Sequence, residues 1–171
     1  MTFTKVTEPW NHWLVRDFLT EEDFAKVKEY SYSLPAYTGD TYCDRVTEGV
    51  LFDMLQSKLF DLCAEIGYNT TGKGKYFAME FMTMEPDYVY KKVHTDNPAK
   101  GLTFILGVSD EGTGTKLYSD KTTYHSTTEW AQNGGTMFNP STNTSWHCFD
   151  AIGCSEIRRT LQLFIVNTLD Y

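Results

Sequence analysis

The sequence predicts an α+β protein that is mainly β, with two amphipathic helices packed on one sheet of a sandwich or jelly roll. Two observations carry this. Apolar residues recur at helical spacing up to about residue 70, then give way to about seven short segments rich in aromatic and β-branched residues. Helices first and strands later also argue against alternating βαβ units. At 171 residues the chain is long enough for one domain around one core. It divides into an N-terminal helical support region (1–72) and a β core (74–171).

The first helix is announced by "LTEEDFAKVKEYSY". Thr20 is a good N-cap, Asp23 three residues on resembles a capping box, and Phe24, Val27 and Tyr30 mark one face. In "TEGVLFDMLQSKLFDLCAEIGY" the residues Leu51, Leu55, Leu59, Leu62 and Ile66 recur at helical spacing, and Gly67 supplies the stop. The predicted strands are "KYFAMEFMTM", "DYVYKKVHTD", "LTFILGVS", "TKLYSD", "TTYHSTTEW", "GTMFNP" and "RRTLQLFIV", with Gly, Asn, Asp or Pro at most joints.

Composition narrows the function classes. The net charge is −8 and no basic stripe is present, so nucleic-acid binding and attachment to an anionic membrane are both disfavoured. The opening "MTFTKVTEPWNHWLVRDF" lacks a signal peptide's basic start and apolar run, and no apolar stretch reaches membrane-spanning length. Cys43, Cys63, Cys148 and Cys154 show no CxxC spacing. Four reduced thiols and a cytoplasmic location are therefore expected.

Chemistry concentrates at "VHTD". In an extended chain His94 and Asp96 point to one face, with Cα atoms about 6.6 Å apart, close enough for both to reach one small cation. The pair alone is equally compatible with a surface-facing strand end. A third ligand, His147, follows a polar loop. Two His and one carboxylate with open positions is the ligand set of non-haem Fe(II) oxygenases, whereas structural zinc favours closed Cys/His sites. In the last strand, Arg158, Thr160, Gln162 and Phe164 share one face; Arg159, Leu161, Leu163 and Ile165 share the other. The apolar set suits packing under the helices, and Arg159 is expected at its outer, solvent-exposed edge. Facing a barrel interior, Arg158 would clamp a carboxylate bidentately, with the Thr160 hydroxyl as a second donor.

The order His94-x-Asp96, His147, Arg158-x-Thr160-Leu161 resembles the 2-oxoglutarate/Fe(II)-dependent dioxygenases, most of all the prolyl-4-hydroxylase type and its small bacterial and phage relatives. The likeness runs over roughly residues 76 to 166, including "HTDNPAKGLTFILGVSDEGTGTKLY" and "GGTMFNPSTNTSWH". It implies a double-stranded β-helix (a jelly roll), with Fe(II) on His94, Asp96 and His147. It also implies 2-oxoglutarate with its distal carboxylate on Arg158 and Thr160, and O2 as the oxidant. The implied reaction hydroxylates a substrate C–H bond while 2-oxoglutarate yields succinate and CO2. A prolyl or other side chain of a peptide or protein is the leading substrate class, and a small metabolite or amino acid the alternative.

Some residues depart from the family pattern or stand outside it. The turn reads Gly112-Thr113-Gly114-Thr115 where adjacent glycines are common, and Met84 and Gly107 fall where relatives often place tyrosines near the cosubstrate. Tyr88 and Tyr90 share the alternating face of His94 and, with Trp146, are candidates to line the substrate mouth. His12 reads as a packing or surface residue and His125 as solvent-facing. "DEGTG" lacks the Lys-Ser/Thr and helix of a phosphate loop. Two rival readings are a non-catalytic jelly-roll binding domain and a cupin-like metalloenzyme with no use for 2-oxoglutarate. Neither calls for an arginine facing the metal.

Overall fold

In the computed structural model, which describes residues 1–35, 42–71, 75–89, 92–140 and 144–168, both helices form where the apolar spacing puts them. Helix α1 spans Glu21–Ser33, and the Thr20 hydroxyl accepts the Asp23 N–H at 3.2 Å, capping an acidic first turn that suits the helix dipole. Helix α2 spans Val50–Glu65 and ends in a Schellman motif. Gly67 adopts φ +75°, its N–H bonds the Ala64 carbonyl, and the Tyr68 N–H bonds that of Cys63.

Among the described residues ten strands follow the chain: β1 (Thr2–Val6), β2 (His12–Arg16), β3 (Tyr42–Val46), β4 (Tyr76–Met84), β5 (Lys100–Gly107), β6 (Lys116–Tyr118), β7 (Tyr124–Thr127), β8 (Gly135–Phe138), β9 (His147–Cys148) and β10 (Arg158–Val166). They build two antiparallel sheets. The larger has the order β1-β2-β8-β5-β10-β4-β3 and the smaller β7-β6-β9. Single bridges from His94 to His147 and from Val89 to Asp150 continue the small sheet beyond β9.

Two expectations are corrected here. Residues 1–72 supply more than helices, because β1, β2 and β3 pair into the large sheet. Five-residue strands carry little local signal, and β2 finds its partner β8 more than a hundred residues away. The stretch "DYVYKKVHTD" is not a continuous strand either. Among its described residues it pairs only through the bridges at Val89 and His94.

Strand β10 lies at the centre of the large sheet between β5 and β4, and all nine of its residues are buried. Alternation splits its side chains between two interiors. Leu161, Leu163 and Ile165 join Phe24, Val27, Leu55, Leu59 and Leu62 of the helices in the main core, where each buried apolar side chain contributes about 1.5–3 kcal/mol. The other face looks toward the small sheet. Among the described residues no helix is long and apolar enough to cross a membrane.

Arg159 does not occupy a solvent-exposed edge; it is 6% exposed. Its guanidinium donates to the Ser31 carbonyl in the last turn of α1 and lies 4.7 Å from the Tyr32 ring centroid. Helix α1 has no basic residue in its last turn, so a cation from the sheet meets the negative end of its dipole. Burial lowers the Arg159 pKa, leaving the group charged at neutral pH. Truncation would leave the Ser31 carbonyl with only the long 3.4 Å bond from the Leu34 N–H. Arg159→Ala is therefore expected to cost about 1.5–3 kcal/mol in a urea unfolding titration, the range for hydrogen bonds to charged groups. An unchanged midpoint and slope would contradict this packing.

Candidate metal centre

His94 and His147 are held side by side by their own backbones. The His94 N–H donates to the His147 carbonyl at 3.0 Å and the His147 N–H returns the bond at 2.9 Å, leaving the ring centroids 4.5 Å apart. On its other side His147 pairs with Leu117 of β6, so the small sheet fixes it from two directions. Each ring places Nδ1 against a carbonyl two residues upstream, Lys92 at 3.0 Å for His94 and Ser145 at 2.9 Å for His147. A carbonyl only accepts, so Nδ1 carries the proton and Nε2 keeps its lone pair for a ligand.

Asp96 is held from β5. Thr103 Oγ1 donates to one carboxylate oxygen at 2.7 Å, and Lys100 Nζ lies 3.1 Å from the other. Ligand atoms of His94, Asp96 and His147 all fall within 4.8 Å of one another, near enough to share a cation. Protonation also fits. Burial pushes the His147 pKa down to about 4, so the ring is neutral at physiological pH. Burial would raise Asp96, but Lys100, His147 and the Thr103 hydroxyl outweigh it and hold the carboxyl below its usual range. Two imidazoles and one carboxylate suit Fe(II), and three protein ligands leave open positions.

The three side chains border a cavity of about 220 Å³ that Glu80, Met82, Gln162 and Phe149 also line. Gln162 belongs to the polar face of β10, so alternation places Thr160 and Arg158 on the same side of the sheet as the metal ligands. Arg158 is 2% exposed. Its Nε donates to the Thr113 carbonyl at 3.1 Å, and its Cζ lies 5.1 Å from the Trp130 ring and 5.9 Å from that of Phe149. Among the described residues its two terminal nitrogens have no hydrogen-bond partner, and neither does the buried Thr160 hydroxyl. Burial lowers the Arg158 pKa to about 10, which leaves it cationic at neutral pH. An unsatisfied cation and a buried, unsatisfied hydroxyl two residues along one strand face form a fitting receptor for a carboxylate.

The aromatic candidates fare differently. Tyr88 packs against the cluster of Met84, Phe149, Ala151 and Cys154. Trp146 is half-buried, and its carbonyl accepts the Tyr118 N–H. Neither is among the residues bordering the cavity, and Tyr90 lies outside the described residues. His12 is buried with Nδ1 on the Trp10 carbonyl, His125 is exposed, and the four cysteines are free thiols. Sequence reasoning missed Thr103, Lys100 and Glu80. Thr103 left a usable trace, a polar residue within the apolar run "LTFILG".

Neither a family model nor a curated protein sequence matches the chain. Solved structures do match. A Pseudomonas putida prolyl-4-hydroxylase superposes with a TM-score of 0.67 at 12% identity, covering 91% of this chain and 92% of the other. A viral collagen prolyl hydroxylase from Paramecium Bursaria Chlorella virus-1, solved as its 2OG complex, gives 0.65 at 12% identity, covering 95% and 99%. A 2OG-Fe(II) oxygenase family protein from Burkholderia pseudomallei gives 0.58 at 13% identity, covering 89% and 82%. The chain shares the fold of these oxygenases.

If Thr103 positions Asp96, Thr103→Val keeps the shape of the side chain but loses the hydrogen bond to the carboxylate. Fe(II) or Co(II) affinity should then fall by about 10–100-fold, the usual cost of losing a group that orients a ligand. His94→Ala should abolish tight binding altogether. Metal titration of both variants reads this, and a Thr103→Val affinity equal to wild type would remove Thr103 from the site.

Proposed function

We propose that this protein is an Fe(II)- and 2-oxoglutarate-dependent dioxygenase that hydroxylates a C–H bond, and that its two sheets form a double-stranded β-helix. One observation supports the reading: the His94–Asp96–His147 set borders a cavity with Gln162, and the unsatisfied Arg158 and Thr160 lie on the same face of β10, Arg158 lining a small adjoining cleft. The chain is a single domain in this reading, with the iron site in the core of residues 74–171. Likeness of fold to proteins whose names specify 2OG and Fe(II) supports it.

The charges match. Two neutral imidazoles and the Asp96 carboxylate leave a bound dication one positive charge, which suits one carboxylate of 2-oxoglutarate. Arg158 balances the second. When bound beside iron, 2-oxoglutarate would supply two electrons toward the reduction of O2, the oxidant, and leave as succinate and CO2 as the substrate C–H bond is hydroxylated. The protein's own contribution is positional. Backbone pairing and the Nδ1 hydrogen bonds aim both imidazoles; Thr103 and Lys100 aim the carboxylate; Phe138, 4.9 Å from the His147 ring, and Phe149 help to keep water out.

We assign as substrate class a prolyl or other side chain of a peptide or protein, following the prolyl hydroxylases among the structural neighbours. The charged groups of Glu80 and Lys100 on the cavity wall favour a small polar metabolite or amino acid as the second reading. Fe(II)-loaded protein should form succinate from 2-oxoglutarate, faster with substrate present, and a panel of proline-containing peptides and free amino acids separates the two classes. No succinate under any of these conditions would leave a binding domain of the same fold.

The clamp makes a quantitative prediction. Removing Arg158 would leave a carboxylate unpaired in a partly dry site, a loss of a few kcal/mol. In anaerobic Fe(II) titrations, Arg158→Ala should raise the 2-oxoglutarate Kd by about two orders of magnitude, at about 1.4 kcal/mol per decade. A change of less than about threefold would place the carboxylate elsewhere.

A further inference from the structure

Four buried side-chain atoms among the described residues lack a hydrogen-bond partner: Ser31 Oγ, Thr83 Oγ1, Thr160 Oγ1 and Trp130 Nε1. Ser31 and Thr83 neighbour Arg159, under the helices. Thr160 belongs to the carboxylate receptor. Trp130, between β7 and β8, has no part in the site so far, yet it lies against that receptor. Arg158 Cζ is 5.1 Å from its ring.

The orientation of the indole is informative. A Cβ built on Gly107 would lie 3.0 Å from Trp130 Cζ2, and one built on Gly112 would lie 2.5–2.6 Å from Cε2, Cζ2 and Cδ2. Only glycine allows the ring so close. Cε2 carries Nε1, so the Gly112 backbone lies against the ring beside the atom that bears the N–H, and Gly107 lies nearest Cζ2. Gly107 pairs directly with Thr160 across the β5–β10 ladder. The Trp130 ring, Thr160 and Arg158 are therefore neighbours around Gly107. A phenylalanine would stack on Arg158 equally well without burying an unsatisfied donor. The indole N–H costs stability here unless something accepts its hydrogen bond.

We propose that Trp130 Nε1–H is a third donor to the distal carboxylate of 2-oxoglutarate, completing a receptor with Arg158 and Thr160. This rests on the reading of the site as a 2-oxoglutarate site. Gly112 leaves room for the ring to lie there; Gly107 admits the Ala131 carbonyl first and the ring second. The receptor thereby offers one charged and two neutral donors, which favours a 2-oxo acid with a second carboxylate over one without.

The test is an anaerobic titration of the Fe(II)-loaded protein, read by metal-to-ligand absorption, with 2-oxoglutarate and with 2-oxobutyrate, which lacks the distal carboxylate. Trp130→Phe, with folding confirmed by its thermal transition, should raise the 2-oxoglutarate Kd about tenfold or more and leave the 2-oxobutyrate Kd within about twofold. An unchanged 2-oxoglutarate Kd, or equal losses for both acids, overturns the role of Trp130. If Arg158→Ala still weakens 2-oxoglutarate in that case, the site reading survives without it. Wild-type protein that binds no 2-oxoglutarate overturns both. A readout independent of the variant's folding is the Trp130 indole N–H resonance in Zn(II)-loaded wild type. It should move on adding 2-oxoglutarate and stay in place with 2-oxobutyrate; a resonance indifferent to 2-oxoglutarate also overturns the proposal.

Discussion

The molecule depends on the alternation of one strand. β10 is buried over its whole length and separates two interiors, a helix-packed core and the space that holds the site. Period-two geometry sends adjacent arginines in opposite directions, and each finds a different anchor. Arg159 meets the carbonyl end of α1, and Arg158 meets the Thr113 carbonyl between two aromatic rings. The apolar triplet Leu161, Leu163 and Ile165 fixes which goes where. A slip by one residue would drive it into the site and bring Arg158 under the helices.

The site has a second constraint, the cost of burying charge. Asp96 is 9% exposed and Arg158 2%, and burying such charges is costly. Asp96 has Lys100, whose ammonium also sits 3.9 Å over the Phe164 ring, and it has the Thr103 hydroxyl. Lys100 and Thr103 both come from β5, so one strand sets the orientation of the carboxylate. Arg158 has a backbone carbonyl and two aromatic rings, and Asp150 acts on it only from beyond ion-pair distance, so among the described residues its terminal nitrogens remain open to a carboxylate.

How much of this was legible in the sequence varies with how local the signal is. The helices were readable from Leu55, Leu59 and Leu62 and from Gly67, because caps and periodicity act within a few residues. The face assignment of Leu161, Leu163 and Ile165 followed from alternation alone. Strands β1, β2 and β3 were not legible, because their pairing is settled by partners far along the chain. The burial of Arg159 was missed for a related reason: nothing near residue 159 shows that α1 ends above it. At the site, the His94, Asp96 and His147 pattern could be read from spacing and order. Alternation also put Gln162 on the site's side of β10, but the rest of the wall could not be read, since Glu80 and Phe149 reach it only through tertiary packing. Trp130 had no signal of its own; the nearest trace is Gly112, whose missing side chain leaves room for the ring.

The most direct test of the account is the iron-edge anomalous difference map of crystals grown anaerobically with Fe(II) and 2-oxoglutarate. The account predicts one peak bonded by Nε2 of His94, Nε2 of His147 and a carboxylate oxygen of Asp96, with the distal carboxylate of 2-oxoglutarate on Arg158 and Thr160. Iron bound elsewhere, or a distal carboxylate paired with Lys100 while Arg158 stays uncontacted, would contradict it.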